Sequence, residues 1–169
     1  ARTELIETYT EAAATGNSKV FTINANLLTT YSYLILHIKG NITGALSLHL
    51  QFDGLSTGFS YNQLESATVI TYSAATAQTQ IVIADATVLD ANARNFEGYI
   101  LLSVRKINDG AETNYIMNSY SQINSSLTGI AIVSGQNAVA DETITNITVA
   151  TSANAWNKFS SMHLYGVKL

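Results

Sequence analysis

The chain has 169 residues, a formal net charge of -4 and only 12% charged residues, with 47% hydrophobic residues and neither cysteine nor proline. That length fits one domain able to bury a core. The missing cysteine excludes disulfides, thiolate metal sites and a cysteine nucleophile. The weak acidic balance offers no basic field for phosphates, so nucleic acid is not an expected partner. No apolar run approaches the roughly 20 residues of a membrane helix, so a soluble chain without membrane insertion is expected. The opening Ala1-Arg2-Thr3-Glu4-Leu5 carries no signal-peptide pattern.

In chain order, the first strand-like run is Lys19 to Asn24, preceded by residues 1–18, which read as an N-terminal arm or an exchanged strand. Thr30 to Lys39 puts Leu34, Leu36 and Ile38 on one face, and Ala45 to Phe52 does the same with Leu46, Leu48, Leu50 and Phe52. Both show the period of two that marks a strand with one buried face. Gly40-Asn41-Ile42-Thr43-Gly44 between them predicts a hairpin turn. Further strands are predicted over Thr68 to Tyr72, Gln78 to Ala84, Gly98 to Lys106, Asn114 to Tyr120, Thr128 to Val133, Thr143 to Ala150 and Ser161 to Lys168. Ala84 to Asn95 has some helix formers, but its β-branched and Asp/Asn residues make it a loop with at most one turn. Asn108-Asp109-Gly110 and Ser134-Gly135-Gln136-Asn137 read as turns.

Many short strands with turn-rich spacers describe a single-domain all-β fold, an antiparallel jelly-roll-like β-sandwich.

Chemistry-bearing constellations are sparse. A hairpin centred near Ile42 sets His37 and His49 diagonally on the face opposite the leucines, near enough for a shared metal. A zinc site needs three or four ligands, and no third is evident, so exposed polar-face histidines are the expected role. The acidic residues fall singly in or beside predicted loops, without the paired carboxylates of acid–base catalysis. Asp53-Gly54 reads as a tight turn. Asn41, Asn124 and Asn146 match the glycan acceptor pattern, but such matches arise by chance in a chain rich in Asn, Ser and Thr. No nucleophile elbow, phosphate loop or dinucleotide fingerprint is present. The expectation is no enzyme, no catalytic or metal residues and no cofactor, with binding residues unassigned. Tyr31, Tyr33, Tyr61, Tyr72, Tyr120 and Trp156 offer amphipathic surface for sugar stacking or protein contact, with core or edge packing as the alternative.

Several segments carry a family resemblance. Ile144-Thr145-Asn146-Ile147-Thr148, then Phe159 to Val167 with its Leu164-Tyr165-Gly166, resembles the ending of a widespread group of tailed-phage virion proteins. The opening Glu4-Leu5-Ile6-Glu7, then Val20-Phe21-Thr22-Ile23, is similar to that group's first strands, and Tyr31 to Ile38 to its Y-x-x-L-x-L strand. Leu50-Gln51-Phe52-Asp53-Gly54 with Phe59 to Leu64 resembles a turn and following strand in the same order. The long Gly/Ser loops common in the group are absent, and residues 67–95 match poorly. The resemblance implies a shared fold and a tail-fibre, head-fibre or decoration role on the particle surface. The implied partners are other copies of the chain (a homo-oligomer, for example a trimer), other virion proteins and a cell-surface glycan. The other readings are a carbohydrate- or receptor-binding module, and an extracellular filament subunit in which Arg2 to Thr10 completes a neighbour's sheet.

Overall fold

The computed structural model describes residues 1–11, 18–42, 47–53, 59–66, 70–78, 80–84, 94–103, 107–108, 113–124, 129–137, 144–152 and 160–168. In chain order the elements are β1 (Arg2–Thr10), β2 (Ser18–Thr22), α1 (Ala25–Thr30), β3 (Tyr33–Ile42), β4 (Leu48–Asp53), β5 (Phe59–Ser66) and β6 (Ile70–Gln78). They continue with β7 (Ile81–Ala84), β8 (Arg94–Ser103), β9 (Ile107–Asn108), β10 (Thr113–Asn124), β11 (Gly129–Asn137), β12 (Asn146–Thr151) and β13 (Ser161–Lys168). The expected all-β class is what the chain adopts, with every strand pairing antiparallel.

The strands form two sheets. The larger runs β1-β13-β3-β8-β10-β11-β5-β6, with β9 beside β10, and the smaller runs β2-β12-β4-β7. The core lies between them. Leu34, Leu36 and Ile38 of β3, Ile100 and Leu102 of β8, and Met162 and Leu164 of β13 face Leu48, Leu50 and Phe52 of β4 and Ile147 and Val149 of β12. Each large side chain so buried contributes about 1.5–3 kcal/mol relative to exposure. Among the described residues the packing leaves an apolar void of about 10 Å³ between Leu36, Ile100, Leu50 and Ile147, room for no more than a single water.

This arrangement corrects the hairpin expected around Ile42. The two leucine-bearing strands belong to opposite sheets, because two stripes pointing the same way in one hairpin need a second apolar surface, and here each stripe covers the other. Strand β3 also runs on through Gly40, Asn41 and Ile42, pairing Gly40 with Phe96 and Ile42 with Arg94. The link at 43–46 lies outside the described residues.

Two further expectations change. Ser134 to Asn137 is not a turn but the end of β11, paired on both sides to β10 and β5. The single run expected over Gln78 to Ala84 divides, with Gln78 ending β6 of the large sheet and Ile81 opening β7 of the small one. The loop expected over Ala84 to Asn95 and the turn at Asn108 to Gly110 fall mostly outside the described residues.

Helix α1 was not expected. Its signal is the cap: Asn24, extended at φ -88°, accepts a 3.0 Å hydrogen bond from the Leu27 amide through its side chain. Six residues are too few for periodicity to register, so packing of Leu27 and Leu28 against the core holds the turn.

Residues 2–10, expected as an arm, form β1 at the edge of the large sheet, paired to β13 of the same chain with a bulge at Ile6. An ion pair from Lys19 of β2 to Glu7 of β1 ties the edges of the two sheets together.

One close approach fixes the β3–β13 register. Gly166 pairs with Leu34, and a Cβ built on it falls closer than 3.0 Å to the buried Tyr31 ring. Gly166→Ala therefore costs about 1–3 kcal/mol through overpacking. Thermal unfolding should fall by several degrees, and by less in a Tyr31→Ser background, where the ring is gone. Equal losses in both backgrounds would rule out the ring as the cause.

Candidate functional site

The outer face of the large sheet carries the densest grouping of chemistry-bearing side chains among the described residues. Register makes His37 of β3, Tyr99 of β8 and His163 of β13 direct cross-strand neighbours. The His37 and Tyr99 rings stack with centroids 4.3 Å apart and planes within 4°, and the His163 ring lies 5.8 Å beyond His37. His37 Nε2 and Glu97 Oε1 are 3.0 Å apart, and Lys39 Nζ lies 3.7 Å from Glu97 Oε2. Thr8 Oγ1 and His163 Nδ1 share a 3.1 Å hydrogen bond. Tyr165 continues the ring series at 6.3 Å from His163.

The expected neighbour of His37, His49, is elsewhere, since β4 lies in the small sheet. Among the described residues no three His, Asp or Glu side chains converge as metal ligands. The two stacked imidazoles present faces to each other, whereas a shared metal needs their ring nitrogens aimed at one point.

His49 is buried, and among the described residues its Nδ1 has no hydrogen-bond partner. Its outward position on β4 does not expose it, contrary to the expected polar-face role. Burial lowers its pKa from the ordinary 6.5, because the charged imidazolium loses solvation there.

The carboxylates engage hydroxyls and cations instead of one another. Glu4 Oε2 accepts hydrogen bonds from Lys168 Nζ at 2.9 Å and from the Tyr31 hydroxyl at 2.8 Å. Those two donors hold its carboxyl below the usual range, and the carboxylate in turn raises the Tyr31 pKa. Tyr9 donates to Glu11 Oε2 at 2.6 Å, and its pKa rises mainly for that reason. A pair of carboxylates flanking a reacting bond does not arise from Glu4, Glu7, Glu11 or Glu97.

Of the tyrosines singled out by sequence, Tyr31 is core, Tyr33 is half-buried on the outer face beside Val167, and Tyr72 is exposed. Trp156 and the side chains of Tyr61 and Tyr120 lie outside the described residues. Sequence reasoning missed Tyr99 and His163 as neighbours of His37, and Tyr165 as a neighbour of His163. The available signal was Tyr99-Ile100-Leu101-Leu102, which is apolar at both parities and so marks a strand with two covered or sticky faces.

Neither a scan of protein-family models nor a search of curated proteins returns a match to this chain.

The His49 environment sets a pH dependence. Its folded-state pKa is depressed, so its contribution is complete above about pH 6.5 and is lost as pH falls from there toward the folded value. The Glu4 contribution has the same sign but acts below its ordinary 4.5. Urea unfolding midpoints should therefore decline between pH 6.5 and pH 5 in the native chain, and His49→Leu should flatten that decline. An equal slope in both would remove His49 as its source.

Proposed function

We propose that this chain is a non-enzymatic structural protein of a tailed-virus particle, a jelly-roll sandwich acting at the particle surface through self-association and contacts with other virion proteins. Strand order supports the fold: along the eight strands of β1-β13-β3-β8 and β2-β12-β4-β7 the chain alternates between the two sheets except at β4 and β7, which are neighbours in the small sheet, the wrapping of two Greek keys. The hairpins β5–β6 and β10–β11 extend the large sheet beyond that frame.

The observation that carries the reading is a convergence. Three segments with the virion-protein resemblance, those containing Glu4, Tyr31 and Gly166, meet at one cluster where the Tyr31 ring covers Gly166 and its hydroxyl donates to Glu4. These residues hold the framework together, so their agreement supports a shared architecture.

A carbohydrate- or receptor-binding role on the same particle is the second reading, favoured by the exposed rings of Tyr72 and Tyr99. Strand exchange is the third, and β1, which here completes its own chain's sheet, is the segment it would use.

Light scattering after size exclusion, with electron microscopy of the eluate, separates these. A closed oligomer of fixed mass is the expected result. Long fibres that are lost when residues 1–10 are deleted would replace the proposal with strand exchange.

A further inference from the structure

A single line of side chains crosses the outer face of the large sheet. Register pairs Tyr72 with Leu64, Leu64 with Ile132, Tyr99 with His37 and His37 with His163, and the backbone of residue 120 in β10 links Ile132 to Tyr99. A second line, two residues along the strands, joins Leu101, Ile35, Tyr165 and Leu5. Directly paired antiparallel residues share a face, so both lines lie opposite the core. Leu101 at 39% exposure, Tyr99 at 49% and Tyr72 at 69% face solvent in the isolated chain.

From these lines we infer that the outer face of the large sheet is the self-association surface, and that its occupant is a second copy of this chain. The inference rests on the proposed self-association and assigns it a location.

Area supports it. The ten described side chains of the two lines, six in the first and four in the second, each take about 4.8 Å across the strands and about 6.8 Å along them, giving on the order of 330 Å². A stable interface takes roughly 800 Å² from each partner, somewhat over half of it apolar. The patch thus supplies about three quarters of the apolar share of one such interface, the remainder coming from neighbouring positions on the same face, and its size is within the range of the largest patch on an isolated monomer.

Charge selects the occupant. The described charged groups on this face, Glu97 and Lys39, already pair with each other beside His37. Two copies therefore meet without like-charge repulsion, while a polyanion or an anionic bilayer finds no field to follow. Aliphatic Leu64, Ile132, Leu101 and Leu5 interleave the rings, which suits a protein surface better than the continuous aromatic platform that sugar stacking requires.

Tyr99→Glu and Ile132→Glu each place a carboxylate inside the patch, and Val20→Glu places one at an equally exposed position on the other sheet. Scattering should report a multiple of 18.1 kDa for the native chain and for Val20→Glu, and a single chain mass for the two patch variants. Far-ultraviolet dichroism checks that each variant is folded. Nitration of the native chain gives an independent reading: Tyr72 and Tyr99 should be protected in the oligomer and modified at least several-fold faster after dilution to monomer. An oligomer that persists in folded patch variants, or tyrosines modified equally at both dilutions, overturns this surface while leaving self-association standing. A native chain that is monomeric at every concentration overturns self-association, and this surface with it.

Discussion

Two apolar sheet faces pressed together carry this fold, because nothing covalent supports it. The chain has no cysteine for a crosslink and no proline to stiffen its turns. Its strands must hold their places through packing and register. The alternation of leucine, isoleucine and phenylalanine along β3, β4, β8, β12 and β13 supplies that packing, each strand burying every second residue. A slip of one residue would turn each of these stripes to water, so core burial and strand register are the same constraint.

The terminal strands show how that constraint reaches the sheet edge. β1 and β13 come from opposite ends of the chain and pair along their full length. Tyr31 lies over Gly166, donates to Glu4 and sits under the Lys168 ammonium, 5.3 Å from its ring centroid. One aromatic side chain thereby joins β1, the entry to β3 and β13. The Lys19–Glu7 pair, with the Lys19 ammonium also 5.3 Å from the Tyr9 ring centroid, holds the other end of β1 near β2. A strand held this way completes its own sheet.

The two outer faces differ in kind. On the small sheet the described outward positions are mainly polar or small, with His49 buried there and its Nδ1 without a partner among the described residues. On the large sheet they carry stacked rings and aliphatic side chains in register across the strands. Core packing accounts for one side of β3, β8, β11 and β13 in the large sheet, and the rings and aliphatic side chains lie on the other.

How much of this was legible beforehand follows from the range of the interactions. The sequence pattern marked ten of the thirteen described strands, all but β1, β5 and β9, and Ser161 to Lys168 was bounded correctly to the residue, because burying one face imposes a period of two on consecutive residues. All-β class followed from the same pattern. Helix α1 was missed because one turn is too short for a period, though its Asn24 cap was visible. The hairpin around Ile42 was misjudged because alternation records which residues are buried, not which surface buries them. Only the tertiary structure decided that β3 and β4 face each other across the core, that His37 meets His163 from the far end of the chain, and that His49 is enclosed. Those outcomes depend on pairings between residues distant in sequence, and a residue's own neighbours carry no physical record of a contact made 126 positions away, as between His37 and His163.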